Sequence, residues 1–366
     1  MASPTRHQRL LAALDTVPDP RKSRGLRYPL AGILALAVTA TIAGCRSFAA
    51  IGQWAGEATA EHRASIGLAG ASVPDESTLR KLFAQLDTDA LDKALGVWMW
   101  TRTSVAAGRR VIALDGKSVR GARAHSEAAA PHLIAAFDHA AGAVLGQVAV
   151  QAKSNEIPAA RTLLAQLDLD GVVVTMDAMH TQTDTATLIT GAGGDYVLTV
   201  KANMPTLHEK LKKLPWKDMP ATRHTSTGRG QRATRTIKIT AVPAWVAFPG
   251  AAQIAQLRRT VTGKNKKKTV EVVYLITSAS HATAPPDVLA SWTQGHWGIE
   301  NKLHWVRDVT FGEDGSQVRT GHAPRVMATC RNVAVSLLRT TGWDNIAAGL
   351  HHHARHPDHA VALTLT

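Results

Sequence analysis

The chain of 366 residues carries 42 Lys and Arg against 28 Asp and Glu, a formal net charge of +14, with 45% hydrophobic and 19% charged residues. This mixture is globular, not disordered, and the excess of positive charge points to a polyanionic partner whose phosphates release counterions on contact. Cys45 and Cys330 are the only cysteines, which excludes a disulfide framework and suits a reducing, cytoplasmic (nucleoid-associated) setting.

In chain order, His7 to Leu14 reads as a short amphipathic helix that stops at the turn Pro18-Asp19-Pro20. The basic run Arg21, Lys22, Arg24, Arg27 precedes an almost uncharged stretch from Tyr28 to Cys45. That stretch reaches about the ~18 residues of a minimal membrane span. Half of it is Ala, Gly and Thr, which insert weakly, so a buried helix is expected and no membrane contact. Asp75 or Ser77 caps a helix bearing Leu79, Leu82, Phe83 and Leu86; Asp87 or Thr88 opens another bearing Leu91, Leu95 and Trp98. Short-linked helices of this kind fit a helix-turn-helix DNA reader and a dimerisation bundle equally well. Residues 1–105 are therefore expected to be an all-helical domain with one of those two roles.

From Arg109 the texture changes. Val111 to Leu114 is an apolar strand that runs into Asp115-Gly116-Lys117; His132 to Phe137 and Val144 to Val150 are two more, and Val172 to Met176 ends in Asp177. A helix through Thr185 to Ile189 and the strand Tyr196 to Val200 follow. Three neighbouring strands followed by strand–helix–strand predict a mixed α/β sheet with flanking helices. Residues from about 204 to 286 break this order with lysine-rich turns (Lys210, Lys212, Lys213; Lys264 to Lys268) and strands near Ile237 to Val242 and Val270 to Thr277, and read as a β-rich insertion. Helices return at Leu289 to Asp308 and Pro324 to Arg339, giving a core of 106–345 and a polar, frayed, His-rich tail at 346–366.

Two apolar strands that each end in an Asp place carboxylates at the open end of a sheet, where ligands sit. Converging acids repel unless a cation neutralises them, and oxygen ligands select Mg²⁺ or Mn²⁺ over zinc. Two such ions suit phosphoryl transfer. On a helix of 3.6 residues per turn, His296, Glu300, Leu303/His304 and Arg307 share one face, a single acid among cationic and donor groups. Trp297 and Trp305 are then core anchors or stacking platforms. His296 and His304, eight apart with no cysteine nearby, do not make a zinc site.

Residues 110–121 (Arg-Val-Ile-Ala-Leu-Asp-Gly-Lys-Ser-Val-Arg-Gly), 153–157 (Lys-Ser-Asn-Glu-Ile), 175–178 (Thr-Met-Asp-Ala), 195–203 and the long 296–314 segment, ending Asp-Val-Thr-Phe-Gly-Glu-Asp, resemble the ISAs-type insertion-sequence transposases, also called H-repeat-associated proteins. The resemblance covers nearly the whole chain, with residues 10–100 similar to the family's associated N-terminal domain. It implies an RNase H-like catalytic core of the DDE superfamily, with the acidic triad on Asp115, Asp177 and Glu300, and a β-rich insertion between the second and third acids. Related transposases carry a Tyr–Arg–Glu–Lys helix signature; Glu300 matches it and Arg307 stands at its Lys position, while Thr293 and His296 replace its Tyr and Arg. The function this implies is metal-dependent cleavage of element ends and strand transfer into target DNA, with two Mg²⁺ or Mn²⁺ ions and a homodimer or larger assembly on DNA. Lys117, Arg120, Lys201 and Asn203, near the strand ends, and His296, Trp297, Asn301, His304 and Arg307, around Glu300, are the expected DNA contacts. A decayed copy that binds DNA without cutting, and a purely hydrolytic nuclease, are the other readings of the same residues.

Overall fold

The computed structural model describes residues 10–70, 72–103, 108–123, 130–151, 154–228, 231–263 and 268–365. In chain order these form α1 (Leu10–Leu14), α2 (Leu30–Ile42), α3 (Phe48–Glu57), α4 (Ala60–Ser65), α5 (Glu76–Gln85) and α6 (Thr88–Arg102), then β1 (Val111–Ser118), β2 (His132–Asp138) and β3 (Val144–Ala149). Next come α7 (Glu156–Leu164), β4 (Val173–Met176), α8 (Thr183–Gly191), β5 (Asp195–Val200) and α9 (Pro205–Lys212). The strands β6 (Thr222–Gly228), β7 (Gln231–Ala241), β8 (Gln253–Thr262) and β9 (Lys268–Thr277) follow, and last α10 (Pro286–His296), α11 (Ala323–Thr340), α12 (Ile346–Arg355) and α13 (Pro357–Leu365). The mixed α/β class expected from the alternation of strands and helices is what the chain adopts. Its residues fall into two compact units, one of Met1–Ala106, Gly116–Asn155 and Gly298–Thr366, the other of Ala107–Asp115 and Glu156–Trp297. The predicted turn at Lys264 to Lys268 lies largely outside the described residues.

The first unit is built around α2, every residue of which is buried. A helix without a polar face must be covered on all sides, and α1, α3, α11 and α13 surround this one. Thr39 and Thr41 satisfy their hydroxyls on the carbonyls of Ala35 and Ala37, and Thr39 also meets Thr364 at 2.9 Å. No helix among the described residues is long and apolar enough to cross a membrane. Asp75 and Asp87 cap α5 and α6 through backbone amides, as their spacing predicts. Gly96 of α6 lies against β3, where an added Cβ would come within 2.7 Å of the Leu145 carbonyl oxygen. The frayed tail expected at 346–366 is instead α12 and α13, which bury Ile346, Leu350, Ala360, Val361 and Leu363. The polar histidines between these positions hide a helical apolar spacing.

In the second unit, β4 pairs parallel with both β1 and β5, and β9 pairs antiparallel with β5. The sheet continues as the antiparallel meander β9-β8-β7-β6. Val111, Val173, Val197, Ile237, Ala255 and Leu275 form one buried face, onto which α10 packs Leu289. The run 222–277 thus extends the sheet with four strands; β6 has no apolar residue and the apolar positions of β8 are interrupted by Gln, Arg and Thr, which left those two unmarked in the sequence.

Candidate active site

Leu114 of β1 faces Met176 of β4 in parallel register. Asp115 and Asp177 are each the next residue, so neighbouring parallel strands deliver two carboxylates at one level. Asp115 does not end its strand, contrary to the simple sequence expectation: β1 continues to Ser118, and Asp115 is an internal, half-buried residue. Asp177 is exposed and caps the 3₁₀ turn Ala178–His180, its carboxylate accepting from the Met179 amide at 2.8 Å. That turn is braced from two sides. The Asn203 side-chain amide donates to the Ala178 carbonyl, and His180, 1% exposed, places Nε2 3.3 Å from Oε2 of Glu156. Neither His180 nor Glu156 stood out as a site residue; the signal was Glu156's place in the 153–157 motif. Lys201 and Asn203 lie on the surface. His296 lies half-buried beside β4, with Nδ1 3.1 Å from the Thr175 hydroxyl.

In the first unit, the segment expected as a regular helix around Glu300 winds as π-helical turns over Glu300–His304 and Val306–Thr310. Such i→i+5 turns occur often at functional sites, and this one changes which side chains face inward. Glu300 and Asn301 stay at the surface, while Leu303, His304, Val306 and Arg307 are buried. His304 Nδ1 lies 3.6 Å from Glu300 Oε1. Burial pushes the His304 pKa below its ordinary value, partly offset by the Glu300 carboxylate, so the imidazole is favoured in its neutral form. Trp297 and Trp305 are 61% and 56% exposed, so they lie at the surface and are not core anchors.

Arg307 is not available to a phosphate. It is fully buried and donates from Nε and Nη2 to Glu313 at 2.7–3.1 Å, with Arg331 on the same carboxylate at 2.8 Å. Burial alone would raise the Glu313 pKa, but Arg307 and Arg331 prevail and hold it at about 2. Gly312, at φ +63°, supplies the left-handed turn that directs Glu313 inward. His304 is likewise internal, and Lys117, 9% exposed, is paired with Asp308. These three expected DNA contacts therefore act within the fold, because a basic side chain beside a motif acid looks the same in sequence whether it faces inward or outward. Arg120 is exposed, 3.9 Å from Asp314. Gly121, last residue of the 110–121 motif, lies where an added Cβ would sit 2.3 Å from the Glu313 carbonyl oxygen and 2.9 Å from the Ser316 amide. Gly121→Ala should destabilise the protein by about 1–3 kcal/mol through backbone overpacking, read as a lower urea midpoint; an unchanged midpoint would show that the turn can move.

The family model described as "Transposase DDE domain" matches residues 106–337, and a second, "DDE_Tnp_1-associated", matches residues 11–99. The chain belongs to the DDE transposase family. As a DNA transposase it has relatives of similar length. It is 32% identical to the putative transposase YncI of Escherichia coli O157:H7 over 344 residues, 91% of this chain and 87% of that one. It is 29% identical to the H repeat-associated putative transposase YhhI of Escherichia coli K12 over 346 residues, 90% of each. Among solved structures it is similar to the piggyBac transposase in a synaptic complex with hairpin DNA, at a TM-score of 0.45 and 10% identity over 98% of this chain and 83% of that chain.

Proposed function

We propose that this transposase cuts the ends of an insertion sequence and joins the freed 3′ hydroxyls to target DNA, with Asp115, Asp177 and Glu300 as the metal-holding triad. The observation that carries this is the register of β1 and β4, which pairs Leu114 with Met176, the residues immediately before Asp115 and Asp177. The donor chemistry fits a divalent ion. Asp115, Glu300 and His304 are residue types that hold metal, and the carboxylates select a hard cation such as Mg²⁺ or Mn²⁺. Two such ions, when bound, activate the attacking oxygen and stabilise the leaving one.

The chain's own residues supply the positioning. The Met179 amide and the brace from Asn203 to Ala178 fix the turn that presents Asp177. His304, buried, stands 3.6 Å from the Glu300 carboxylate on the same segment. No Ser or Tyr nucleophile is required, because the phosphodiester bonds are exchanged by water and then by the 3′ hydroxyl. Arg120, Lys201, Asn203, Trp297 and Asn301 are exposed groups offered to DNA. Among residues 1–105, Lys22, Arg24 and Arg27 are exposed and serve element-end binding, with assembly as a dimer or larger on DNA.

Cleavage of cognate element ends in Mg²⁺ tests the reading. Mg²⁺ and Mn²⁺ should both support it, whereas Ca²⁺ should support end binding with little cleavage, since its looser and higher coordination disturbs in-line geometry. Full cleavage in excess EDTA would remove the metal mechanism, and binding without cutting would mark a non-cleaving copy. Cutting without strand transfer would mark a hydrolytic nuclease.

A further inference from the structure

The meander β6–β9 has two unlike faces. One, through Ile237, Ala255 and Leu275, is core under α10. The alternate positions on the same strands form the other face, where β7 reads Arg232, Thr234, Thr236, Lys238 at the two-residue period of a strand. Register carries this pattern across the sheet. Arg223 pairs with Thr236 and Thr236 with Arg258, while Arg232 pairs with Thr262 and Thr262 with Lys268. These residues floor a groove of about 950 Å³, walled by the segment from Lys212 to Asp218.

The charge on this face is one-sided. Arg223, Arg232, Lys238, Arg258 and Lys268 line the groove, and Asp218 is the single acid among its described lining residues. An ordinary solvated sheet face mixes signs, as the opposite face does where Arg259 lies 4.0 Å from Glu271. Threonine hydroxyls fill the spaces between the cations, so the floor offers hydrogen-bond donors along its length. Aromatic platforms are not offered: Trp216 and Tyr274 are 6% and 8% exposed, packed 6.0 Å apart.

We propose that this face of β6–β9 binds the phosphodiester backbone of duplex DNA. Half or more of protein–DNA hydrogen bonds go to phosphate and sugar, and guanidinium, ammonium and hydroxyl donors such as these supply them. Single-strand binders rely on exposed aromatics for stacking, which this floor lacks. A strand of 10 residues, as β8 is, spans roughly 33 Å, about one turn of duplex. The proposal rests on the reading of the chain as an enzyme that acts on DNA, and assigns to it a backbone-holding surface on a different element from the triad.

The test is the salt dependence of full-length protein binding to a random-sequence duplex. Arg223→Gln/Arg232→Gln/Arg258→Gln should bind every sequence more weakly and flatten the slope of log K against log salt by roughly 3. The charge-preserving Arg223→Lys/Arg232→Lys/Arg258→Lys should keep the wild-type slope. Lys268→Gln alone, at an exposed strand end, should lower the slope by about 1 and serves if the triple variant does not fold. Arg259→Gln, on the opposite face, should leave it unchanged. A wild-type slope in the triple variant or in Lys268→Gln overturns the groove while leaving the transposase reading intact. An equal loss in Arg259→Gln shows an effect of net charge and not of this face, and overturns it too. Failure of the wild type to bind duplex at low salt would overturn both the groove and the reading beneath it.

Discussion

Asp115→Asn, Asp177→Asn and Glu300→Gln are each expected to reduce single-turnover cleavage of element ends by on the order of 10³-fold or more, with end binding retained. Losing even one preorganised donor to a developing charge costs about 10²–10³, and an amide in place of a carboxylate also removes a unit of charge from the metal site. The three changes are nearly isosteric, and the pairing of β1 with β4 runs through Val111–Leu114 and Val173–Met176, just before Asp115 and Asp177. Binding should persist because affinity comes from phosphate contacts made elsewhere. Gel-shift and cleavage assays on the same preparations separate the two effects. Near-wild-type cleavage by any one variant would remove that residue from the site. Asp308 would be the next acid to test after Glu300; Glu313, enclosed by two arginines, would not.

The second large effect is on stability. Glu313→Gln should cost about 3–5 kcal/mol, because it leaves the buried Arg307 and Arg331 without their shared counter-charge. The pH dependence has a definite sign. The carboxyl is held at about 2 in the folded chain against an ordinary 4.5, so its contribution is fully present above the ordinary value. It fades as pH falls from there towards the folded value. The gap in urea midpoint between wild type and Glu313→Gln should therefore be constant from neutral pH down to about 5 and close progressively below that. A gap that widens in acid, or a variant as stable as wild type at neutral pH, would contradict the assignment of Glu313 to the core.

The strands of the core were legible because each is a short apolar run with a punctuating polar residue, and the same pattern marked Asp115 and Asp177. Glu300 was legible through the length of its motif. What escaped was the inward half of that motif. Regular helical periodicity places Arg307 on the face of Glu300, but the π-helical turns at Glu300–His304 and Val306–Thr310 rotate it into the interior. Single-sequence periodicity shows neither such a change of winding nor the buried partners, Glu313 and Asn332, that Arg307 meets. The terminal helices were hidden for a related reason: His351, His352, His356 and His359 mask an apolar spacing that has meaning only beside α2 and α11. Strand β6 was missed because it has no apolar residue at all, and β8 because Gln, Arg and Thr break up its apolar positions Ile254, Ala255, Leu257 and Val261.

Metal binding by the full-length chain assembled on element-end DNA tests the central claim most directly. In a Mn²⁺ titration followed by electron paramagnetic resonance, wild type should take up about two ions. Asp115→Asn, Asp177→Asn and Glu300→Gln should each lose tight Mn²⁺ binding while still holding the DNA. Undiminished Mn²⁺ uptake by all three variants would contradict the assignment of the triad.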